Sequence, residues 1–250
     1  MRATSVALLA APLVGTAIQF APWLSGTGAG RRLFPAVTHV PSTDAVALTF
    51  DDGPDHQLER FLNVLGEAGA RATFVLVGEQ VKRHPTAPRA ILAAGHEIAV
   101  HGLTHVSHLR RTPADLSEDL RKARLIIEDA AGEAAPLYRP PYGVFSFGSW
   151  RECTRQGWER VLWSRWGKDW DEAATPQGIA DCIGQPAAGD ILLLHDSDRY
   201  SSPNSWRNTL GALPIVLDRI KSAGLVSRPV GELLGRPSQK SALPPAWSAV

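Results

Sequence analysis

The stretch LTFDDGPDH, residues 48–56, places two adjacent carboxylates where an apolar segment ends. Carboxylates this close repel each other, and a surface turn rarely needs both. Gly53 and Pro54 follow the acids and predict a sharp turn that holds them in place. The apolar run before them predicts a buried strand. We therefore expect Asp51 and Asp52 at the carboxyl end of that strand.

Segments of the same apolar kind recur along the chain and alternate with helical patterns. The predicted strands are residues 44–50, 72–77, 97–100, 137–139, 160–166, 190–194 and 225–229. The clearest predicted helix covers residues 113–131, since Thr112 can cap its start and Gly132 ends it. Repeated strand–helix units without a second core predict an α/β fold, a distorted (β/α) barrel with about seven parallel strands.

The composition is that of a globular chain with balanced charge. Of the 250 residues, 44% are hydrophobic and 20% are charged, so the chain can bury a full core. With 26 basic and 25 acidic residues, the net charge of +1 creates no field that would recruit nucleic acid or an anionic membrane. Cys153 and Cys182 lack metal-like spacing, and whether they pair is left open.

The N-terminal segment is uncharged over residues 3–24, follows Arg2 and leads into small residues at 25–30. This pattern is typical of a signal peptide or an uncleaved membrane anchor, so we expect an exported protein. A segment packed on a soluble domain is the alternative. The expected divisions are a signal peptide or anchor at 1–30, a linker at 31–43, a folded domain at 44–235 and a flexible tail at 236–250.

Charged and polar residues follow the ends of the predicted strands. They are Asp51, Asp52, His101, His105, Arg139, Asp169 and His195. The carboxyl ends of barrel strands meet on one face, where active sites are built from several strands at once. We therefore expect these residues to lie together in one site.

Within HGLTH, His101 and His105 have a spacing that lets two imidazoles reach one metal ion. Metalloproteases with this spacing need a glutamate where Gly102 stands, which argues against a protease. A carboxylate of the aspartate pair would complete three ligands with an open position for water, as in catalytic zinc sites. Two alternatives are left open: His108 as a ligand instead of His105, and a structural histidine pair without metal.

His195 follows four apolar residues and precedes Asp196. An imidazole at a strand end beside a carboxylate suits general acid catalysis near neutral pH. A core histidine held by backbone groups is the alternative. Of the eight tryptophans, Trp206 is the one to test for stacking on a sugar, while core packing is expected for most of them.

Taken in order, these motifs resemble those of the polysaccharide deacetylases of carbohydrate esterase family four. The matching stretches are TFDDGPD at 49–55, HGLTH at 101–105, RPPYG at 139–143, Asp169-Trp170 and Leu193-Leu194-His195. The resemblance implies a distorted seven-stranded (β/α) barrel that removes N-acetyl groups from amino sugars and releases acetate. One departure is Gly102, because the family usually has a Ser or Thr there that steadies the loop.

The resemblance also implies a role for each matching position. The implied ligands of Zn²⁺, or of another divalent transition metal, are Asp52, His101 and His105. The implied catalytic residues are Asp51 as general base, Arg139 as its partner, His195 as general acid and Asp169, which tunes His195. The implied substrate contacts are the backbone N–H of Tyr142, for the oxyanion, and the side chains of Trp170 and Leu193, for the acetyl group.

The expected partner is an N-acetylated carbohydrate such as peptidoglycan or a chitin-like polymer, with membrane contact only through the N-terminal anchor. Two other functions stay open: hydrolysis of another C–N or acetyl-ester bond, as in O-acetyl xylan, and non-catalytic binding of wall carbohydrate. Phosphoryl transfer through an Asp nucleophile is disfavoured, because that class separates its two aspartates by one residue and here they are adjacent.

Overall fold

The computed structural model describes residues 21–27, 30–237 and 239, and parallel strands there form a curled, incomplete barrel. The strands are β1 (Ala45–Asp51), β2 (Ala72–Val77), β3 (Glu97–Gly102), β4 (Leu137–Tyr138), β5 (Glu159–Arg160), β6 (Arg165–Trp166), β7 (Ile191–His195) and β8 (Val226–Ser227). Their order is β5-β4-β3-β2-β1-β7-β6, and β8 pairs with β1. All pairings between these strands are parallel, so the predicted α/β barrel is confirmed.

Helices connect the strands and pack against the sheet and against each other. They are α1 (Leu58–Glu67), α2 (Gly78–Arg83), α3 (Ala87–Ala93), α4 (Pro113–Ala131), α5 (Phe147–Gln156), α6 (Pro176–Ile183), α7 (Ser205–Ser222) and α8 (Val230–Leu233). Helix α4 has the predicted bounds. The Thr112 side chain accepts a first-turn backbone N–H, and Gly132 ends the helix with a φ of 73°.

Strand β1 lies in the interior of the sheet, between β2 and β7, and all of its residues are buried. The Phe50 ring stacks on Phe74 at a centroid distance of 5.1 Å and meets Phe61 edge-on at 5.5 Å. Burial of an aromatic side chain of this size contributes about 1.5–3 kcal/mol relative to exposure. The packed core therefore fixes the strand from which Asp51 and Asp52 emerge.

The fifth predicted strand, residues 160–166, is divided into β5 and β6, which do not pair with each other. Val37 lies beside the division: its N–H donates to the Arg160 carbonyl, and its own carbonyl accepts from the Leu162 N–H. Strand β6 then pairs with β7 on the other side. The division is what makes the barrel distorted.

The expected linker at 31–43 is in part a component of the barrel wall. Besides the bonds of Val37, the buried Val40 donates its N–H to the Gly189 carbonyl, and Phe34 meets the Trp150 ring edge-on at 5.4 Å. The described part of the expected tail also makes contacts, since Arg236 pairs with Glu159 at 2.5 Å.

The expected signal peptide or anchor lies largely outside the described residues, as does the tail from residue 240. In the part of the chain that the structure describes, no helix has the length and apolar character needed to cross a membrane. Cys153 is buried and Cys182 is exposed, and both are free thiols. The question of their pairing is thereby answered: they do not form a disulfide.

Candidate active site

The carboxyl ends of the strands surround a cleft of about 320 Å³. The predicted site residues that line it are Asp51, Asp52, His101, His105, Tyr142, Trp170, Leu193 and His195. Arg139 and Asp169 lie behind the lining, each bonded to one of these residues. The parallel register explains part of the assembly, because Asp51 on β1 lies beside His195 on β7.

The two adjacent aspartates point into different surroundings. Strand β1 ends at Asp51, and Asp52 has a φ of 80°, a left-handed conformation that side chains rarely adopt. Both residues are only 3% exposed. Gly53 follows in close contact with Asp196, since a Cβ at this position would lie 2.5 Å from the Asp196 Oδ2. The turn therefore requires glycine at position 53.

Asp52 forms a compact group with the two histidines of HGLTH. Its Oδ1 lies 3.4 Å from His101 Nε2 and 3.2 Å from His105 Nε2, and one ligand atom from each residue lies within 4.8 Å of the others. No described residue offers a hydrogen bond to this buried Oδ1. An unsatisfied buried carboxylate oxygen facing two imidazole nitrogens is suited to a divalent cation of the zinc type.

The protonation states of this group also suit a cation. Burial opposes the charge of Asp52, but the neighbouring histidines outweigh it and lower the Asp52 pKa to about 2. Burial lowers the pKa of His105 to about 4. His101 donates from Nδ1 to the Arg139 carbonyl at 2.7 Å, which leaves the Nε2 lone pair directed at the group. One carboxylate oxygen and the Nε2 atoms of two imidazoles thus face one point.

Asp51 is held apart from that group by Arg139. The buried guanidinium donates from Nη1 to the Asp51 Oδ1 at 2.6 Å and to the Thr49 hydroxyl at 2.9 Å, and from Nη2 to the Leu162 carbonyl at 2.9 Å. The other Asp51 oxygen, Oδ2, lies 3.9 Å from His101 Nε2. One oxygen of Asp51 is therefore occupied by arginine while the other faces the cleft, as a general base requires.

His195 is oriented by Asp169. Its Nδ1 lies 2.8 Å from the Asp169 Oδ1, and its backbone N–H donates to the Asp169 Oδ2 at 2.7 Å. The Thr209 hydroxyl donates to that same Oδ2 at 2.8 Å. Burial opposes protonation of His195, but the charge and hydrogen bond of Asp169 outweigh it and raise the His195 pKa to about 10. The imidazole is therefore protonated at neutral pH and able to donate a proton.

The structure does not favour His108 as an alternative ligand or Trp206 as a surface for sugar stacking. His108 is buried against Tyr138, with Nδ1 3.1 Å from the Tyr138 hydroxyl, and it does not line the cleft. Trp206 is only 6% exposed and lies among His56 and the guanidinium groups of Arg60 and Arg207, so it offers no free face to a sugar. The apolar surroundings of α7 and the two stacked arginines cover it.

The family of this chain follows from its relatives. The family model for polysaccharide deacetylases matches residues 39–161. A peptidoglycan-N-acetylglucosamine deacetylase from Bacillus cereus is 31% identical over 200 residues, which cover 78% of this chain and 91% of that protein. The chain belongs to the polysaccharide deacetylase family. A chitooligosaccharide deacetylase from a Bradyrhizobium species is 30% identical over 202 residues, with 78% of this chain and 92% of that protein covered.

The fold agrees with that of a solved family 4 carbohydrate esterase from Streptomyces lividans in complex with acetate. The TM-score is 0.67 at 29% identity, and the match covers 74% of this chain and 92% of that one. Carbohydrate esterase family four is the group whose five motifs the sequence resembles. The curled sheet and the cleft at its strand ends are thus features of a polysaccharide deacetylase.

The sequence did not identify every residue that lines the deacetylase cleft. The additional lining residues are Gly143, Trp163, Trp166, Tyr200 and Ser201. Trp166 was expected in the core, yet it is 39% exposed and its ring stacks near Trp163 at 6.0 Å. Their positions in the chain could have identified three of these residues. Tyr200 and Ser201 follow β7 and Trp166 ends β6, at the strand ends where barrel sites form.

Proposed function

We propose that this protein is a metal-dependent hydrolase that removes N-acetyl groups from the amino sugars of a peptidoglycan-like or chitin-like carbohydrate. The observation that carries the proposal is the different environment of the two aspartates. Asp52 faces two imidazoles with an unsatisfied oxygen, while Asp51 is bonded to Arg139. A protein that only bound carbohydrate would need neither a restrained base nor a protonated histidine.

Asp52, His101 and His105 would hold the metal, with Zn²⁺ favoured by one carboxylate and two imidazole ligands. When bound, such a cation supplies Lewis-acid chemistry, which polarises a carbonyl group and makes water more acidic. The three residues line the cleft together with His195, so a substrate bound there would lie beside the metal.

Asp51 accepts the proton of the attacking water on the oxygen that faces the cleft. Arg139 restrains the other oxygen, so the base keeps its orientation and stays off the metal ligands. Tyr142, Trp170 and Leu193 line the cleft, so the backbone N–H of Tyr142 would stabilise the oxyanion and the side chains of Trp170 and Leu193 would contact the acetyl methyl. His195 then gives its proton to the departing nitrogen, because an amine leaves only when protonated.

The decisive measurement is detection by mass spectrometry of deacetylated product from N-acetylglucosamine oligomers, with zinc-loaded protein and after chelation. We expect deacetylated product and acetate from the loaded protein, and none after metal removal. Activity that survives complete removal of metal would contradict the mechanism. Binding of oligomer to zinc-loaded protein without any turnover would instead support a non-catalytic carbohydrate module.

The substrate is resolved by a panel of peptidoglycan, chitin oligomers and O-acetyl xylan, scored by acetate release. The relatives favour the first two, since they are named as peptidoglycan and chitooligosaccharide deacetylases. Release of acetate from xylan alone would overturn the assignment to amino sugars.

We further propose that residues 1–30 direct export, because the uncharged segment at 3–24 precedes the barrel and wall carbohydrate lies outside the cytoplasm. Fractionation of cells that produce the full chain, followed by N-terminal sequencing, tests this proposal. A product found in the medium or membrane supports export, and sequencing separates a cleaved signal from an anchor. Retention in the cytoplasm would contradict it.

A further inference from the structure

The two histidines of the proposed metal group are supported in different ways. The His101 ring is fixed by a hydrogen bond from its Nδ1 to the Arg139 carbonyl at 2.7 Å. The Nδ1 of His105 is buried, and none of the described residues offers it a hydrogen bond. Metal-binding histidines normally bond through the second ring nitrogen, because this bond sets the tautomer and the orientation of the ring. His105 needs another means of orientation.

Two tyrosine rings supply close contacts on His105. The Tyr200 ring stacks on the imidazole with a centroid distance of 4.4 Å and an interplanar angle of 18°. The Tyr142 ring approaches to 4.5 Å at an angle of 59°. Tyr142 is 60% exposed and has little packing of its own, so Tyr200 is the better supported of the two.

Tyr200 is in turn fixed by Gln80 on α2. The Gln80 Nε2 donates to the Tyr200 hydroxyl at 2.8 Å, and Gln80 is fully buried. The Gln80 side-chain oxygen accepts from Arg83 Nη1 at 3.2 Å, so the amide orientation is set as well. A buried amide with both ends bonded adds a restraint on the stacked tyrosine ring, because movement of the hydroxyl would cost this hydrogen bond.

The loop before His105 is held by backbone and side-chain bonds that do not orient the His105 ring. Gly102 has a φ of +112°, and a Cβ there would lie 3.3 Å from the Thr104 carbonyl oxygen. A residue with a hydroxyl side chain would be strained at this position. The loop backbone is held instead by Asp119 on α4, which accepts from the Leu103 N–H at 2.9 Å and from the Thr104 hydroxyl at 3.2 Å. These bonds fix the loop but do not reach the His105 ring.

We propose that Tyr200, held by Gln80, is a positioning residue that orients the His105 ring for metal binding by stacking in place of a hydrogen bond to Nδ1. The inference rests on the proposed function in one respect, the role of His105 as a ligand. Loss of the Tyr200 ring removes the stacked contact and gives the imidazole more freedom to rotate, and the metal must then restrict that rotation at a cost in affinity.

The test is the zinc dissociation constant of the full chain, measured by competition with a chromophoric chelator. We expect Tyr200→Ala to weaken zinc binding by about 10–100-fold, the range typical for loss of a group that orients a metal ligand. Tyr200→Phe keeps the stacked ring and should stay within about 10-fold of wild type. Gln80→Leu removes the same hydrogen bond from the other side and should behave like Tyr200→Phe. Phe147→Ala, an exposed aromatic outside the cleft, is the control.

A second readout separates positioning from general destabilisation. The visible absorption spectrum of the Co²⁺-substituted protein reports ligand geometry, so it should change in Tyr200→Ala and be preserved in Tyr200→Phe. The melting temperatures of the metal-free forms show whether the fold is affected. If wild type binds no zinc, the proposed function fails. If wild type binds zinc and Tyr200→Ala has the same dissociation constant and Co²⁺ spectrum, only the positioning role is overturned.

Discussion

Each end of the barrel contains a buried acid, but the two acids differ in the hydrogen bonds that they accept. At the amino end, Glu97 on β3 accepts a hydrogen bond from the Thr73 hydroxyl at 2.8 Å and from the Gly231 N–H at 3.0 Å. At the carboxyl end, the Asp52 Oδ1 is equally buried and has no donor among the described residues. The first acid is a satisfied part of the fold, whereas the second has one oxygen that no described residue satisfies.

This difference teaches how a structural acid is distinguished from a functional one. Burial alone does not separate them, since Glu97 is 6% exposed and Asp52 is 3% exposed. Their hydrogen bonds separate them, and in this pair the two pKa values also move in opposite directions. Burial raises the pKa of Glu97 to about 7, while the imidazoles beside Asp52 outweigh burial and lower its pKa to about 2. A buried acid kept charged without a hydrogen-bond donor on one oxygen indicates a cation site.

The largest effect is expected from Asp52→Ala. Removal of the carboxylate leaves two ligands, so we expect loss of stoichiometric zinc together with loss of detectable deacetylation. Metal content by mass spectrometry and acetate release, measured on one preparation, check both. Asp218→Asn, an exposed acid on α7, is the control and should retain both properties. Full zinc occupancy in Asp52→Ala would remove Asp52 from the ligand set.

The next largest effect is expected from Asp51→Asn, which separates the neighbouring acids. The amide cannot accept the proton of water, so kcat should fall by about 10²–10⁴-fold, the range of general base catalysis. Zinc should remain bound, because Asp51 is held by Arg139 and the ligand group does not need it. If this variant and Asp52→Ala lose metal alike, the division of roles between the two aspartates is wrong.

The sequence predicted the strands that end in site residues within one or two positions, because long apolar runs are a local signal. Both ends of helix α4 were predicted for a similar reason, because Thr112 and Gly132 cap the helix through local contacts. The division of the fifth strand could not be predicted, because it depends on Val37 reaching residues far along the chain. Trp206 and Tyr200 were missed as well. Whether an aromatic ring is covered, as Trp206 is, or stacked on a histidine of the cleft, as Tyr200 is, depends on contacts between distant segments.

A smaller effect, on pH dependence, is expected from Asp169→Asn. His195 must carry a proton to act as an acid, so kcat should decline as the pH rises through the pKa of His195. Burial lowers that pKa and Asp169 raises it, to about 10 in total. Without the negative charge of Asp169, the alkaline limb of the plot of kcat against pH should move to a pH lower by about 1–3 units. Asp171→Asn, two residues away and exposed, should leave the limb in place. An unchanged limb in Asp169→Asn would show that another group is the acid.

The amino end offers the converse test, in which stability changes and activity does not. Burial raises the pKa of Glu97 above its ordinary value of 4.5, to about 7. Glu97 therefore contributes its full stability below about pH 4.5 and loses that contribution as the pH rises through about 7. Glu97→Gln can accept the same two bonds without a charge, so this loss should disappear.

At pH 8 we expect the free energy of unfolding of Glu97→Gln to exceed that of wild type by up to about 3 kcal/mol, with kcat unchanged. Urea denaturation at pH 4 and pH 8 measures the difference. Reduced turnover in Glu97→Gln would contradict the separation of the two ends, because it would connect an acid at the amino end to the cleft. Equal stability of the two proteins at pH 8 would instead show that Glu97 is charged at little cost, and that the contrast between the two acids rests on hydrogen bonding alone.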